Sequence, residues 1–413
     1  MELTSEIVAQ LRGQFPALRK QVNGRDAVFF DGPAGTQVPQ SVIDAISHYL
    51  VTCNANSHGL FATSIESDAL VDAAHAAAAD FVGTADAGTI AFGANMTSLT
   101  FALSRALART WQPGDEIVLT RLEHDANFSP WRLAAEDAGA VVRYIDIDPH
   151  DCTLNLQEYG DVLNDRTRLV AVGCASNAAG TINPVAEICG WAREVGAITF
   201  LDAVHYAPHA LIDVEAWNCD FLICSAYKFF GPHVGVMYGR RELLESLQPY
   251  KLRPSPDDLP GRWMTGTQNF ECISGVQAAI DYIASIGRLD GTARSRRDAL
   301  TEAFGMIRTY EMAILDELLD GLASHPDIKV WGITDQEERH RRFPTVSITH
   351  AKMTATELAQ KLADAGIFVW HGNYYALPLT ERLGVEPEGM VRIGLAHYNT
   401  NEEVQRLLAE LSD

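Results

Sequence analysis

Residues 219–228 read CDFLICSAYK. An unbroken apolar run, Phe221 to Cys224, passes through Ser225, Ala226 and Tyr227 to a lysine, and the turn FFGPHVG (229–235) follows. Continuous apolar runs of this length read as strands buried on both faces, the kind found in parallel sheets. A lysine directly after such a strand is costly as a structural choice. It is useful where desolvation must keep an amine neutral and nucleophilic. A lysine snorkelling off a strand end is the plainer alternative.

Working outward, the same grammar repeats. Strands are predicted at GTIAF (88–92), DEIVLT (115–120), AVVRYIDI (140–147), TRLVAVGC (167–174), AITFLD (197–202) and VGVMYGR (234–240), with helices at 96–110, 129–139 and 183–196 between them. Strands alternating with helices predict an α/β fold, a large domain with a mostly parallel sheet between helix layers. After it come a long helix near 295–324, strands IKVWGI, TVSITH and IFVW, and helices TATELAQKLADAG and TNEEVQRLLAELSD. These form a smaller α+β C-terminal domain. The division expected is an N-terminal helical segment (1–25) packing with the small domain, a large domain (26–285) and a small domain (286–413).

The chain has 413 residues, 47% hydrophobic and 21% charged, with a formal net charge of −22. So acidic a surface repels phosphate backbones and argues against a nucleic-acid partner. No stretch reaches the about 20 uncharged apolar residues of a membrane span. Residues 1–20 read as one mixed-charge amphipathic helix rather than a secretion signal. Seven cysteines without framework spacing point to a reducing, cytoplasmic setting. The Asn-x-Ser/Thr matches at 95–97 and 127–129 are then chance matches.

Open parallel sheets bind ligands beyond the carboxyl ends of their strands. That edge carries GANMTS (93–98), RLEHDAN (121–127), ASN (175–177), DAVH (202–205) and SAYK (225–228). Asn95 and Met96 open a helix, whose free N–H groups suit a phosphate, although Asn95 also reads as an ordinary N-cap. Neither a GxGxxG nor a GxxxxGK[ST] string occurs. Asp202 ends a buried strand and needs a cationic or N–H partner. His124 could stack on a flat ring, and His205 could bond a ring substituent. His205 and His209 are spaced for a metal, but Pro208 argues against the helix this needs, so no metal is expected. Ser225 to Lys228 also fits SxxK, but the companion strings S-D-N and K-T-G are absent.

An imine-forming lysine, a carboxylate, a stacking histidine and a phosphate turn together describe a pyridoxal phosphate site. On FFDGPAGTQVPQSVIDAI, EHDANFSPW, SNAAGTINPVAEI, DAVHYAPH, SAYKFFGPHVG, TGTQNF and VRIGLAHYNT, in that order, the sequence resembles the class V aminotransferases over nearly its full length. These are fold-type I pyridoxal phosphate enzymes, and the likeness is greatest to the cysteine desulfurases and selenocysteine lyases. The resemblance implies a sheet of seven strands in the large domain and Lys228 as the Schiff-base lysine, with His124 also catalytic. It implies Asp202 at the pyridine nitrogen, Asn177 and His205 at the ring oxygen, and Asn95, Met96, Ser225 and Tyr227 at the phosphate. Thr267 would reach a neighbouring subunit's phosphate in a homodimer with shared sites. The substrate, a small amino acid, would meet Ala34, Gly35, His58, Asn177, Tyr375 and Arg392, whose guanidinium would clamp its carboxylate.

One departure bears on the reaction. The desulfurases carry a mobile cysteine in the loop VWHGNYYALPL (369–379), and the register puts Tyr375 there. The last cysteine is Cys272, so the final 413 − 272 = 141 residues contain none. Persulfide transfer needs a thiolate. The resemblance therefore implies Cβ–S or Cβ–Se elimination without a persulfide, with aminotransferase, epimerase and a non-catalytic protein of the same fold as alternatives. Trp370, Tyr374, Tyr375 and Phe61 suggest an aromatic pocket.

Overall fold

The computed structural model describes residues 2–412. Its centre is a seven-stranded sheet built from β1 (Ile90–Gly93), β2 (Glu116–Thr120), β3 (Val141–Ile145), β4 (Thr167–Gly173), β5 (Ile198–Asp202), β6 (Phe221–Ser225) and β7 (Gly235–Gly239), in the spatial order β1-β7-β6-β5-β4-β2-β3. Each strand falls on a predicted run. The sheet is mixed: β7 runs antiparallel to both β6 and β1, and the other pairings are parallel. The link from β6 to β7 is too short for the dozen or more residues of a parallel crossover, so the chain turns back instead.

Burial on both faces explains the continuous apolar strands. Along β4, Val170 and Val172 join one core while Leu169 and Ala171 join the other. Helices cover both faces: α1 (Ser5–Arg12), α2 (Gln40–Thr52), α3 (Ala62–Val82), α4 (Met96–Ala108), α5 (Ser129–Ala138), α6 (Val185–Glu194), α7 (Phe270–Ile286) and α8 (Arg296–Ala323), with α9 (Ala355–Asp364) and α10 (Asn401–Ser412) further on. Leu103 of α4 and Trp131 of α5 pack in one core, Ala77 of α3 and Ile283 of α7 in the other.

A second, four-stranded antiparallel sheet holds β8 (Ile328–Trp331), β9 (Thr345–His350), β10 (Trp370–Gly372) and β11 (Met390–Gly394), in the order β8-β9-β11-β10. The long helix α8 straddles the two parts. Leu300 and Phe304 lie in the large core, Leu315 and Leu322 in the small one. The structural change of core thus falls inside α8, downstream of residue 285.

Two local expectations are corrected. The N-terminal segment is not one helix. Gly13 caps α1, and a short 3-10 turn, Pro16–Arg19, follows with its proline at the first position. This segment touches both parts, because Val8 and Phe15 sit in the large core while Arg12 reaches Glu403 of α10 at 2.8 Å. The run IFVW also splits. Ile367–Phe368 pairs in parallel with Val28–Phe29, and Trp370 begins β10.

Candidate active site

The loops at the carboxyl ends of β1, β2, β4, β5 and β6 converge on a hollow of about 500 Å³ lined by Asn95, His124, Asn177, Asp202, His205 and Lys228, among others. Close packing brings these loops together. A methyl on Gly235 would stand 2.6 Å from the Asn95 carbonyl carbon and 2.8 Å from Leu99, so only glycine lets β7 lie against the turn before α4. Ser225, the last residue of β6, accepts the Met96 N–H at 2.9 Å, tying the lysine strand to that turn. Asn95 caps α4, accepting the Ser98 N–H at 2.9 Å, so its side-chain oxygen is already committed.

Lys228 ends a 3-10 turn, Ala226–Lys228, and its Nζ donates to the Pro33 carbonyl. Burial pushes its amine down to about 7, Arg392 adds to this by repulsion, and Asp202 opposes it. Asp202 accepts the Val204 N–H at 2.9 Å, and burial lifts its carboxyl to about 6 against the pull of that bond and of Lys228. His124 accepts the Ala126 N–H on Nδ1 at 3.0 Å, and burial lowers its imidazole to about 4. His205 shares a 3.0 Å hydrogen bond between Nε2 and the Thr345 hydroxyl, and burial keeps it neutral. Its Nδ1 is the nitrogen left for a ligand.

A second, outer hollow of about 800 Å³ shares Asn177, Tyr227 and Lys228 with the first and adds Ala34, Tyr375 and Arg392. Gly35 lies against the Tyr227 ring, where an added methyl would meet Cδ2 at 3.3 Å. Arg392, on β11, donates to the Asn177 carbonyl at 2.9 Å, and its guanidinium lies 4.3 Å from the centre of the Tyr374 ring. Burial lowers it only to about 10, so it remains a cation at neutral pH. Its Nε and the Asn177 Oδ1 are buried without partners. Two buried, unpaired polar atoms in the same site as an amine lowered to about 7 mark a place for a polar ligand.

Two expected residues lie elsewhere. His58 is exposed in the loop before α3, where its backbone N–H donates to Asp68 at 3.0 Å. Thr267 is exposed beside a separate hollow near His233. Phe61 is likewise 59% exposed, outside the aromatic wall formed by Trp370, Tyr374 and Tyr375. Other functional neighbours left no readable pattern. Glu123 is buried beneath the inner hollow and accepts from Thr120 at 2.7 Å, the Gly173 N–H at 3.0 Å and Asn127 at 2.6 Å. The His233 ring stacks on Tyr227 at 4.9 Å, and the carboxyl of Asp31 approaches Arg392 with one oxygen unpaired. The string EHDAN does place Glu123 beside His124, the one signal that could have singled it out. Among the described residues no group of acidic, histidine and cysteine side chains is arranged to hold a metal.

A family model described as aminotransferase class-V matches residues 28–407. The cysteine desulfurase of Pectobacterium atrosepticum is 32% identical over 98% of this chain and 97% of its own length. That of Klebsiella pneumoniae is 32% identical over the same shares. Among solved structures, a cysteine desulfurase of Thermococcus onnurineus superposes with a TM-score of 0.85 at 27% identity, covering 96% of this chain and 97% of that one. One from Escherichia coli gives 0.84 at 26%, covering 98% and 97%.

Proposed function

We infer, from a chain that belongs to the class V aminotransferase family and is a pyridoxal phosphate enzyme of cysteine desulfurase kinship, that it cleaves a Cβ–S or Cβ–Se bond of an amino acid without carrying the sulfur on a cysteine. The observation behind this reading is the missing thiol. Of the seven cysteines six are buried and Cys272 is half-buried, and none lines either hollow. Where a thiol would be needed the chain presents Tyr375.

The residues present fit the cofactor. An amine near neutrality, a buried carboxylate and unpaired polar atoms around one hollow are the donor set it requires. Lys228 would bond its aldehyde carbon. Asp202 would hold the ring nitrogen, His124 the ring face, and Asn177 and His205 the ring oxygen. Ser225, Tyr227, Asn95 and the Met96 end of α4 would hold its phosphate. When bound, pyridoxal phosphate supplies an electron sink for the pair left as the substrate Cα loses a proton.

This chain's residues then do the rest. Arg392 holds the α-carboxylate as a fixed cation, with Ala34 and Gly35 bounding that end. Lys228 Nζ, half neutral near pH 7, would take the Cα proton. The leaving group departs from Cβ into the outer hollow, where Tyr375 and His371 can protonate it. A second reading, epimerase or aminotransferase, shares the proton step. It is favoured by the same pair, which could return the proton from a second donor.

The test is product analysis on an amino-acid panel. Pyruvate and ammonia are expected from a cysteine thioether or selenocysteine, abolished by Lys228→Ala. Pyridoxamine phosphate, or deuterium at Cα without net product, would replace this reading with the second. Alanine and transferable sulfur from L-cysteine, blocked by thiol alkylation, would overturn it.

A homodimer with shared sites belongs to the same proposal. Val51 is 83% exposed and Leu60 99%, and Ile43, Leu50, Phe61 and Ile65 of the same two segments are exposed as well. So many exposed large apolar side chains in two short segments favour a second copy as their cover. His58 lies in the second segment, and His58 and Thr267 would then serve the neighbouring subunit's site. A monomer by light scattering would refute this. The unpaired cysteines and the absence, among the described residues, of a helix long and apolar enough to cross a membrane support a cytoplasmic enzyme.

A further inference from the structure

The turn Asn373–Tyr375 is held in place from several sides. Tyr374 and Tyr375 have φ of 55° and 59°, two successive non-glycine residues in the left-handed region. Such conformations persist only where surroundings over-determine them. Here they do. The Asn177 amide donates to the Tyr374 carbonyl at 3.0 Å, the Asp125 N–H donates to the Tyr375 carbonyl at 2.6 Å, and the Tyr375 N–H donates to Asn373 Oδ1 at 3.1 Å. The Tyr374 hydroxyl donates to the Met390 carbonyl, and the Arg392 guanidinium covers its ring. The Tyr375 ring stacks on His124, centroids 5.5 Å apart at 26°.

A turn so fastened is a wall rather than a swinging arm. The outer hollow it bounds, about 800 Å³, far exceeds the room a cysteine side chain takes, and Phe101, Pro130, Trp370, Tyr375 and Pro387 give it flat apolar surfaces. Trp370 and Tyr375 are 52% and 72% exposed in the single chain, so neither ring is packed into its own core. Among the described residues the lysine and arginine side chains of the lining are Lys228 and Arg392, both committed to chemistry and carboxylate at the inner end, and Asp125 adds a negative charge. Among the described residues no further lysine or arginine lines the hollow to meet a second carboxylate on the substrate.

We propose that this wall selects amino acids whose side chain is large, uncharged and planar: in terms of the lyase reading, on which the substrate class rests, an S-aryl or S-heteroaryl cysteine rather than cysteine itself. Its carboxylate sits on Arg392, its Cα faces Lys228, and its ring lies among Trp370, Tyr375 and Phe101. Elimination then balances simply. The Cα–H bond gives its proton to Lys228, the Cβ–S bond breaks with its electron pair on sulfur, the thiolate takes up a proton, and the remaining enamine hydrolyses to pyruvate and ammonia.

The test uses carbon isosteres that have no leaving group. L-2-amino-4-phenylbutanoate stands for S-phenylcysteine and L-2-aminobutyrate for cysteine. Dissociation constants come from the first spectral phase on rapid mixing with the holoenzyme. The phenyl compound is expected to bind at least tenfold more tightly, and Tyr375→Ala to remove most of that preference. Equal or tighter binding of aminobutyrate overturns the proposal and leaves the lyase reading untouched. A retained preference with no pyruvate from S-phenyl-L-cysteine sinks the lyase reading and leaves the wall standing.

Discussion

Capture of the cofactor by the apoprotein should report the state of Lys228 directly. Only the neutral amine attacks an aldehyde. With its pKa at about 7, half of the Lys228 amine is neutral at pH 7. An unshifted lysine near 10.4 would be neutral in roughly one molecule in 2,500, a difference on the order of 10³ in reactive amine. Apoprotein mixed with pyridoxal phosphate across pH 5.5–9, followed by the absorbance of the linked cofactor, should show a rate rising about tenfold per pH unit at first and levelling above pH 7. The neighbours set the direction of each shift. Arg392 repels the ammonium, so Arg392→Gln should move the break upward. Asp202 attracts it, so Asp202→Asn should move the break downward. The sign carries to stability. A depressed lysine pKa means that the unfolded chain binds more protons between the two values, so this group stabilises the apoprotein as pH rises from 7 toward 10.5. A capture rate that climbs without a break through pH 9 would refute the reasoning, because Lys228 would then be an ordinary solvated amine.

Gly235→Ala pushes a methyl to 2.6 Å from the Asn95 backbone. It should cost about 1–3 kcal/mol by overpacking and weaken cofactor retention, measured by dialysis and absorbance. Glu311, fully buried, bonds His209 Nδ1 at 2.8 Å. Glu311→Leu should cost about 3–5 kcal/mol in urea unfolding, and Glu311→Gln distinctly less because a partner for the imidazole remains. Glu123→Ala strips Thr120, Gly173 and Asn127 of one acceptor carboxylate. With His124 next in the chain, it should shift the bound cofactor's absorption band as well as lower the melting temperature; a shift in stability alone would assign Glu123 no positioning role.

The edge of the sheet was legible because two simple physical signals coincide there. Apolar runs such as Leu169–Val172 can only be strands buried on both faces, and whatever polar residue follows such a run must stand at the ligand edge. Asp202 and Lys228 each follow such a run and line the same hollow. The direction of β7 was not read, since length of linkage rather than composition decides it. Nor was α7, in which Ile273, Val276, Ile280 and Ile283 are joined in burial by Ser274, Gly275 and Ala284, so the polar stripe is narrow, carried by Gln277, Asp281 and Ser285. Contacts between distant segments were beyond local pattern altogether: Lys228 with the Pro33 carbonyl, Arg392 under Tyr374, Glu123 with Gly173.

The loop after β10 shows what each level contributes. The proposed register with the desulfurases sets Tyr375 where a thiol would be needed, which alone could be a simple exchange of side chain on an unchanged arm. The structure adds that the backbone there is twisted into two consecutive left-handed residues and fastened to Asn177, Asp125 and Met390. An arm that must carry sulfur away has to detach, and every such fastening raises the cost of detaching. On the proposed lyase reading, loss of the nucleophile and loss of the motion are one change: a loop freed from transfer can hold its aromatic rings still, and rings held still can discriminate between substrates.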